Sequence, residues 1–317
     1  MPQTYEEVKT KVMNLIEKAE WISFTTDIWT NSCKSCSLLS FTAHFVVESE
    51  RLKVILEASV LQEDHTGTYI AEKLTEIANE FNIINKIYLA IRDNAANIDC
   101  ATRIAQFESL GCVAHTLQLV IKDAIFSDPH IENVIKTCRK IVGHFRRSEQ
   151  ASRNLKECQK QCGLPLHSLI QDVGVRWNST YLMLERLSEQ KNSVNLYSVE
   201  CGGINTLNSM DWEFIKKITN VLKFFYEATL EISFDNACVS LIIPLLSLLK
   251  RKLHQDNNDD PEVRDMKNQL NISLNKRFAY IKTQSSLICA TLLDPRFKSK
   301  YLTSNEVDIG IKEICNF

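Results

Sequence analysis

Two aspartates stand where the sequence changes character. Asp27 lies in FTTDIWT, at the end of a β-branched and aromatic run, and Asp93 lies in RDNAAN, directly after another apolar run. Carboxylates are hard oxygen ligands suited to divalent cations. Two such ions held roughly 3.5–4 Å apart can activate an attacking hydroxyl and stabilise the leaving oxygen in phosphodiester chemistry. The same residues have plainer uses: Asp93 can cap a helix starting at Asn94, and Asp27 can open a turn. Cys112 and His115, in GCVAHTLQL, have C-x-x-H spacing, and Cys33 and Cys36 add a C-x-x-C pair. Zinc is not the expected ligand, because Cys36 opens an alternating strand and 75 residues separate it from Cys112. In DVGVRWNSTY, Arg176 and Trp177 pair a guanidinium that can hold a phosphate with an indole that can stack on a base drawn out of a duplex. The alternative for Trp177 is a place in the core, with Asn178 or Ser179 capping the helix that follows.

Around these residues the charge is unevenly spread. The 317-residue chain has a net charge of −2, which argues against a generally basic nucleic-acid binder and leaves any such contact to a local patch. One segment qualifies. Between Cys138 and Lys160 the residues Arg139, Lys140, Arg146, Arg147, Arg153, Lys156 and Lys160 face only Glu149 and Glu157, a net of +5 over 23 residues. A solvated helix face is the alternative reading. The 11 cysteines are scattered and odd in number, and the N-terminus has no apolar signal core, so reduced thiols are expected. The longest apolar run, Cys238 to Leu249, has 12 residues and is broken by Pro244. A membrane span needs about 18 or more, so a buried helix or helix pair is expected instead.

The elements that would position these residues follow from periodicity. Residues 5–20 read as a helix and Trp21 to Trp29 as a strand; Ser37 to Val47 and Leu52 to Leu61 read as an antiparallel hairpin. Helical spacing takes over from Thr66 to Phe81, and Lys86 to Arg92 returns to a buried strand. Helices are expected at 94–106, 113–126, 130–146 and 148–161, a fifth strand at Ser168 to Val175, and a helix from Ser179 to Gln190. Gly202 and Gly203 mark a boundary. Two long amphipathic helices follow, one carrying Trp212 to Ile232 and one carrying Val263 to Ile281. The order βββαβ implies a mixed sheet covered by helices.

The four motifs, in this order from about Trp21 to Arg186, resemble those of the hAT transposases and the related BED-type zinc finger proteins, as does the later LLDPRFK from Leu292 to Lys298. The resemblance implies an α/β, RNase H-like core over 21–200, preceded by a helix over 1–20 and followed by an α-helical insertion domain over 201–317. In such a sheet the first and fourth strands are adjacent and parallel, so Asp27 and Asp93 would face a common point and bind Mg²⁺ or Mn²⁺ in the ancestral activity. It also implies DNA contacts for Cys112, His115, Arg176 and Trp177. Three departures shape the functional expectation. The family's third acid is a glutamate beyond the helical insertion, and neither Glu306 nor Glu313 sits in such a motif. The residues before Trp21 leave no room for a BED finger. Arg92 and Val175 replace a small polar residue and a threonine, and the Arg92 cation is expected to compete with a metal beside Asp93. The expectation is a nuclear, DNA-binding, catalytically inactive derivative without a tightly bound cofactor. The alternatives are a scaffold that meets protein partners through its helical region, and a live metal-dependent nuclease.

Overall fold

Side chains that are alternately buried and partly exposed make the first two strands. The computed structural model describes residues 2–31, 36–174, 176–235, 237–254, 256 and 259–316. After helix α1 (Pro2–Glu17) come β1 (Ile22–Thr30), β2 (Ser37–Val47) and β3 (Glu50–Leu61), then α2 (Gly67–Glu80), β4 (Ile87–Arg92), α3 (Ala96–Ile104) and the short β5 (Ser109–Gly111). The sheet order is β3-β2-β1-β4-β5. β1 pairs antiparallel with β2, and β2 with β3, whereas β4 is parallel to both β1 and β5. This is the RNase H-like arrangement. Ile22 and Phe24 of β1 and Leu39, Phe41, Ala43 and Phe45 of β2 pack into one core with Ile70, Leu74 and Ile77 of α2 and with Ile16 of α1. Phe24 stacks on Phe41 with ring centroids 4.1 Å apart. Lys86 fastens α1 to this unit by donating to the carbonyls of Ile16, Glu17 and Ala19 at 3.1, 2.9 and 2.8 Å, which satisfies carbonyls that a helix end leaves open.

The strand expected at Ser168 to Val175 is not formed. The fifth strand is Ser109–Gly111, and residues 168–174 run as irregular chain. Three residues are too few to show a period of two, whereas the apolar residues around Leu169 imitate one. The β2–β3 connection is tighter than the composition suggests, with Glu48 (φ 51°) and Ser49 (φ 70°) as a two-residue turn of left-handed residues.

The chain divides into two compact units, Met1–His115 and Thr116–Phe317. Helix α4 (Val113–Ile121) continues as a wider π turn over Lys122–Phe126. The second unit contains α5 (Pro129–Arg147), α6 (Glu149–Gln161), α7 (Trp177–Glu189), α8 (Lys191–Glu200), α9 (Ser209–Ser233), α10 (Ile242–Lys252), α11 (Pro261–Arg277), α12 (Ser285–Leu293) and α13 (Ser304–Asn316). Side-chain caps start several of them: Asp128 with Pro129 for α5, Ser148 for α6, Asn208 for α9, and Asp260 with Pro261 for α11. Among the described residues, no helix is long and apolar enough to cross a membrane.

Candidate functional site

The parallel register of β1 and β4 places the two aspartates. Thr25 pairs with Ile91, the last β1–β4 pair, so Asp27, still within β1, and Asp93, the residue directly after β4, both lie two residues beyond it in the same direction. Asp27 is exposed on the face opposite Ile22, Phe24 and Thr26, which are buried. Its Oδ1 accepts from the Ile28 amide at 2.9 Å. Asp93 is half-buried, and its Oδ1 accepts from the Ala95 amide at 3.0 Å, closing an Asx turn. Asp93 is therefore not the helix cap that its position before Asn94 suggests: α3 begins at Ala96 with Ala95 as cap residue. One row back on the β1 face, Thr25 Oγ1 and His44 Nε2 are 3.2 Å apart. Burial, together with the nearby Lys53 and Arg51 charges, lowers the His44 pKa and favours its neutral ring.

The expected competition from Arg92 is corrected. Its guanidinium is paired with the Asp99 carboxylate in the first turn of α3, and it also donates to Ser109 Oγ at 3.2 Å and to the Asp93 main-chain carbonyl at 3.0 Å. The guanidinium is thus engaged by Asp99, a carboxylate it shares with Arg103 at 3.2 Å, and is not a free cation. The two neighbouring motifs also meet here. Arg92 pairs with Gly111, and the Cys112 amide donates to the Arg92 carbonyl at 2.6 Å. The Asn94 side-chain amide lies so close over Gly111 that a β-carbon there would overlap it. This packing sets Cys112 directly after β5 and His115 in the first turn of α4, half-buried rather than enclosed.

Among the described residues no group of three His, Cys, Asp or Glu side chains is placed to hold a metal ion. Glu306 and Glu313 belong to the second unit and have local partners. Glu306 Oε2 accepts from the Thr303 amide and hydroxyl at 2.7 and 2.9 Å, a capping box at the start of α13, and Glu313 accepts from Ser285 Oγ at 3.4 Å. Cys36 precedes β2, while Cys33 and Val175 lie outside the described residues. Among the described residues, Asp27 and Asp93 are thus two candidate oxygen ligands with no third acid beside them.

In the second unit, Arg176 is exposed and precedes α7, while Trp177, its first residue, is 5% exposed and edge-on to Tyr181 with centroids 6.2 Å apart. The Trp177 indole N–H has no hydrogen-bond partner among the described residues. Neither Asn178 nor Ser179 caps the helix as expected. Ser179 Oγ instead accepts from the Val173 amide at 2.8 Å and donates to the Arg176 carbonyl at 2.6 Å. Asp172, which opens the motif, is the residue that composition missed; its carboxylate is buried and paired with Arg139 of α5.

The basic segment divides into three groups. Arg139 is bound to Asp172, and Arg153 and Lys160 pair with Glu149 and Glu157 one turn away. Lys140, Arg146, Arg147 and Lys156 are exposed and without an ion pair among the described residues. Lys140 and Arg147, two turns apart, share one stripe of α5.

Comparison with known proteins agrees with this fold. The family model described as the ZBED1 RNase-like domain matches residues 25–111, and that described as the ZBED1 RNase-like helical domain matches residues 110–221. The human zinc finger BED domain-containing protein 4 is 30% identical over 97% of this chain and 27% of its own length. The human zinc finger BED domain-containing protein 6 is 30% identical over 94% of the chain and 33% of its own length. A putative AC transposase of Zea mays is 26% identical over 71% of the chain and 30% of its own length. The chain thus spans about a third or less of the length of these relatives.

Proposed function

Because the chain belongs to the BED-type, hAT transposase-derived family, we propose that it is a nuclear DNA-binding protein that engages DNA ends or branch points and does not itself cleave them. The observation that carries this reading is the set of exposed cations on α5 and α6, Lys140, Arg146, Arg147 and Lys156, left without ion pairs in a chain whose net charge is −2. Such charges attract the phosphate backbone and release its counterions. Arg176 adds a further exposed cation beside Trp177, whose buried donor lacks an acceptor. An unmet buried donor costs about 1–3 kcal/mol, which an acceptor on a base edge would offset. Cys112 and His115 lie beside the Asp93 loop, where they would meet DNA brought to that edge of the sheet.

The test is a gel shift comparing hairpin-ended or branched duplex with plain duplex. Tighter binding of the first, reduced by Trp177→Ala, is expected; equal binding of both, indifferent to that change, would refute end recognition. Incubation with Mg²⁺ or Mn²⁺ is expected to leave the DNA intact. Cleavage abolished by Asp27→Ala and by Asp93→Asn would establish a nuclease instead.

A second reading, a protein-interaction scaffold, would use exposed apolar side chains of the helical unit, such as Met210 at 81% and Phe234 at 74%. It calls for a stoichiometric protein partner whose binding is lost on Met210→Asp and Phe234→Asp, with no nucleic acid co-purifying.

A further inference from the structure

Arg139 differs from every other cation of its segment. Arg153 and Lys160 meet acids within four residues on their own helix, and Lys140, Arg146, Arg147 and Lys156 point to solvent. Arg139 reaches 33 residues along the chain to Asp172, with Nε 3.1 and 2.9 Å from the two carboxylate oxygens and Nη2 2.7 Å from Oδ2. The Asp172 side chain is 2% exposed and also accepts from Thr180 Oγ1 at 3.0 Å and Gln171 Nε2 at 3.1 Å. This carboxylate therefore joins three pieces of the second unit: the middle of α5, the start of the 171–176 loop, and the first turn of α7. The far end of the same loop is closed by Ser179 and by the Arg176 amide, which donates to the Val173 carbonyl at 2.8 Å. Between these two anchors Val173 and Gly174 are exposed, and a β-carbon on Gly174 would meet nothing within 4 Å.

A bidentate guanidinium–carboxylate pair fixes direction as well as distance, which a lysine or a single hydrogen bond would not. The pair therefore fixes where the chain leading to Arg176 leaves α5 and enters α7. We propose that Arg139 and Asp172 are a strut that sets Arg176 and Trp177 for contact with an unstacked nucleobase and its adjoining phosphate, so that both act as positioning residues and Arg139 is not itself a phosphate contact. The inference rests on the DNA-binding reading above for its ligand, and on the geometry of the second unit alone for the strut.

The two roles open to Arg139 separate in the salt dependence of binding. Removing a phosphate contact lowers the slope of log K against log salt by about 0.9, whereas removing a strut leaves the slope and weakens the affinity. Anisotropy titrations of a labelled hairpin-ended duplex are expected to show at least tenfold weaker binding for both Arg139→Met and Asp172→Asn, each with the wild-type slope. A slope reduced by about one contact in Arg139→Met, with Asp172→Asn binding as wild type, would overturn the strut. A measurement without DNA gives an independent answer: acrylamide quenching of Trp177, taken as the difference between each protein and its Trp177→Phe counterpart, rises in both variants. Unchanged quenching would overturn the strut whether or not DNA binds. If the wild type binds no DNA while quenching rises, the DNA reading fails and the strut stands. Thr180→Val removes one partner of the carboxylate and keeps the ion pair, so a smaller change in the same direction is expected should Asp172→Asn not fold.

Discussion

At Gly111 a single methyl group is enough to disturb the approach of the Asp93 loop to β5, because the Asn94 amide occupies the space a β-carbon would need. Gly111→Ala obliges the Asn94 side chain to swing aside and is expected to cost about 1 kcal/mol, the low end of the overpacking range, because the displaced group is the end of a short side chain and not backbone. Gly174→Ala, with open space around it, should stay within about 0.5 kcal/mol; thermal melts of the two variants make the comparison. Asp172 gives a pH dependence. Burial opposes its ionisation, but hydrogen bonds from Arg139, Thr180 and Gln171, with the Arg139 charge, outweigh burial and hold its carboxyl below the ordinary 3.8. A depressed folded-state pKa stabilises the fold above the unfolded value, and that stabilisation is lost as the pH falls through the folded value. Melting temperatures followed downward from pH 6 should therefore fall more steeply below about pH 4 in the wild type than in Asp172→Asn; identical profiles would remove Asp172 from the acid response. The motif residues themselves were legible from sequence, since aspartate, histidine and the Arg-Trp pair stand out by type. Their partners were not: Arg92 binding Asp99 and Arg139 binding Asp172 depend on tertiary approach, to which local composition is blind.

At the scale of elements, the β2–β3 turn stores strain that can be relieved. Ser49 sits at φ 70°, a left-handed conformation that costs a residue with a β-carbon about 1–2 kcal/mol. Ser49→Gly is therefore expected to raise stability by up to about 1 kcal/mol, after allowing for the extra freedom glycine gives the unfolded chain. A lower melting temperature would show that the serine makes a compensating contact. Lys86→Met should loosen α1, whose terminal carbonyls it satisfies, and speed amide exchange in residues 2–17 while sparing β1. The strands of the hairpin and β4 were readable because half-buried alternation and continuous apolar runs are strong signals. Ser37–Val47 is where periodicity places it, and β3 begins at Glu50. The short β5 and α8 were not, since three residues carry no period and α8 has a mixed polar face. The apparent strand at Ser168 to Val175 is the reverse case, an alternating pattern in a loop tied down by Asp172 and Ser179 rather than by a ladder.

For the whole molecule, a net charge of −2 means that the proposed affinity for DNA would have to come from a few placed cations rather than from the overall field. On this account Lys140, Arg147 and Lys156 supply phosphate contacts, while Arg153 and Lys160 are neutralised by their own helix and contribute little. The direct measurement is the affinity for hairpin-ended duplex over a series of salt concentrations, for the wild type and for the combined Lys140→Gln, Arg147→Gln, Lys156→Gln variant. Binding that weakens steeply with salt, with a slope smaller by roughly two to three in the variant, is the expected result. An affinity indifferent to salt, or the same slope in both proteins, would contradict it.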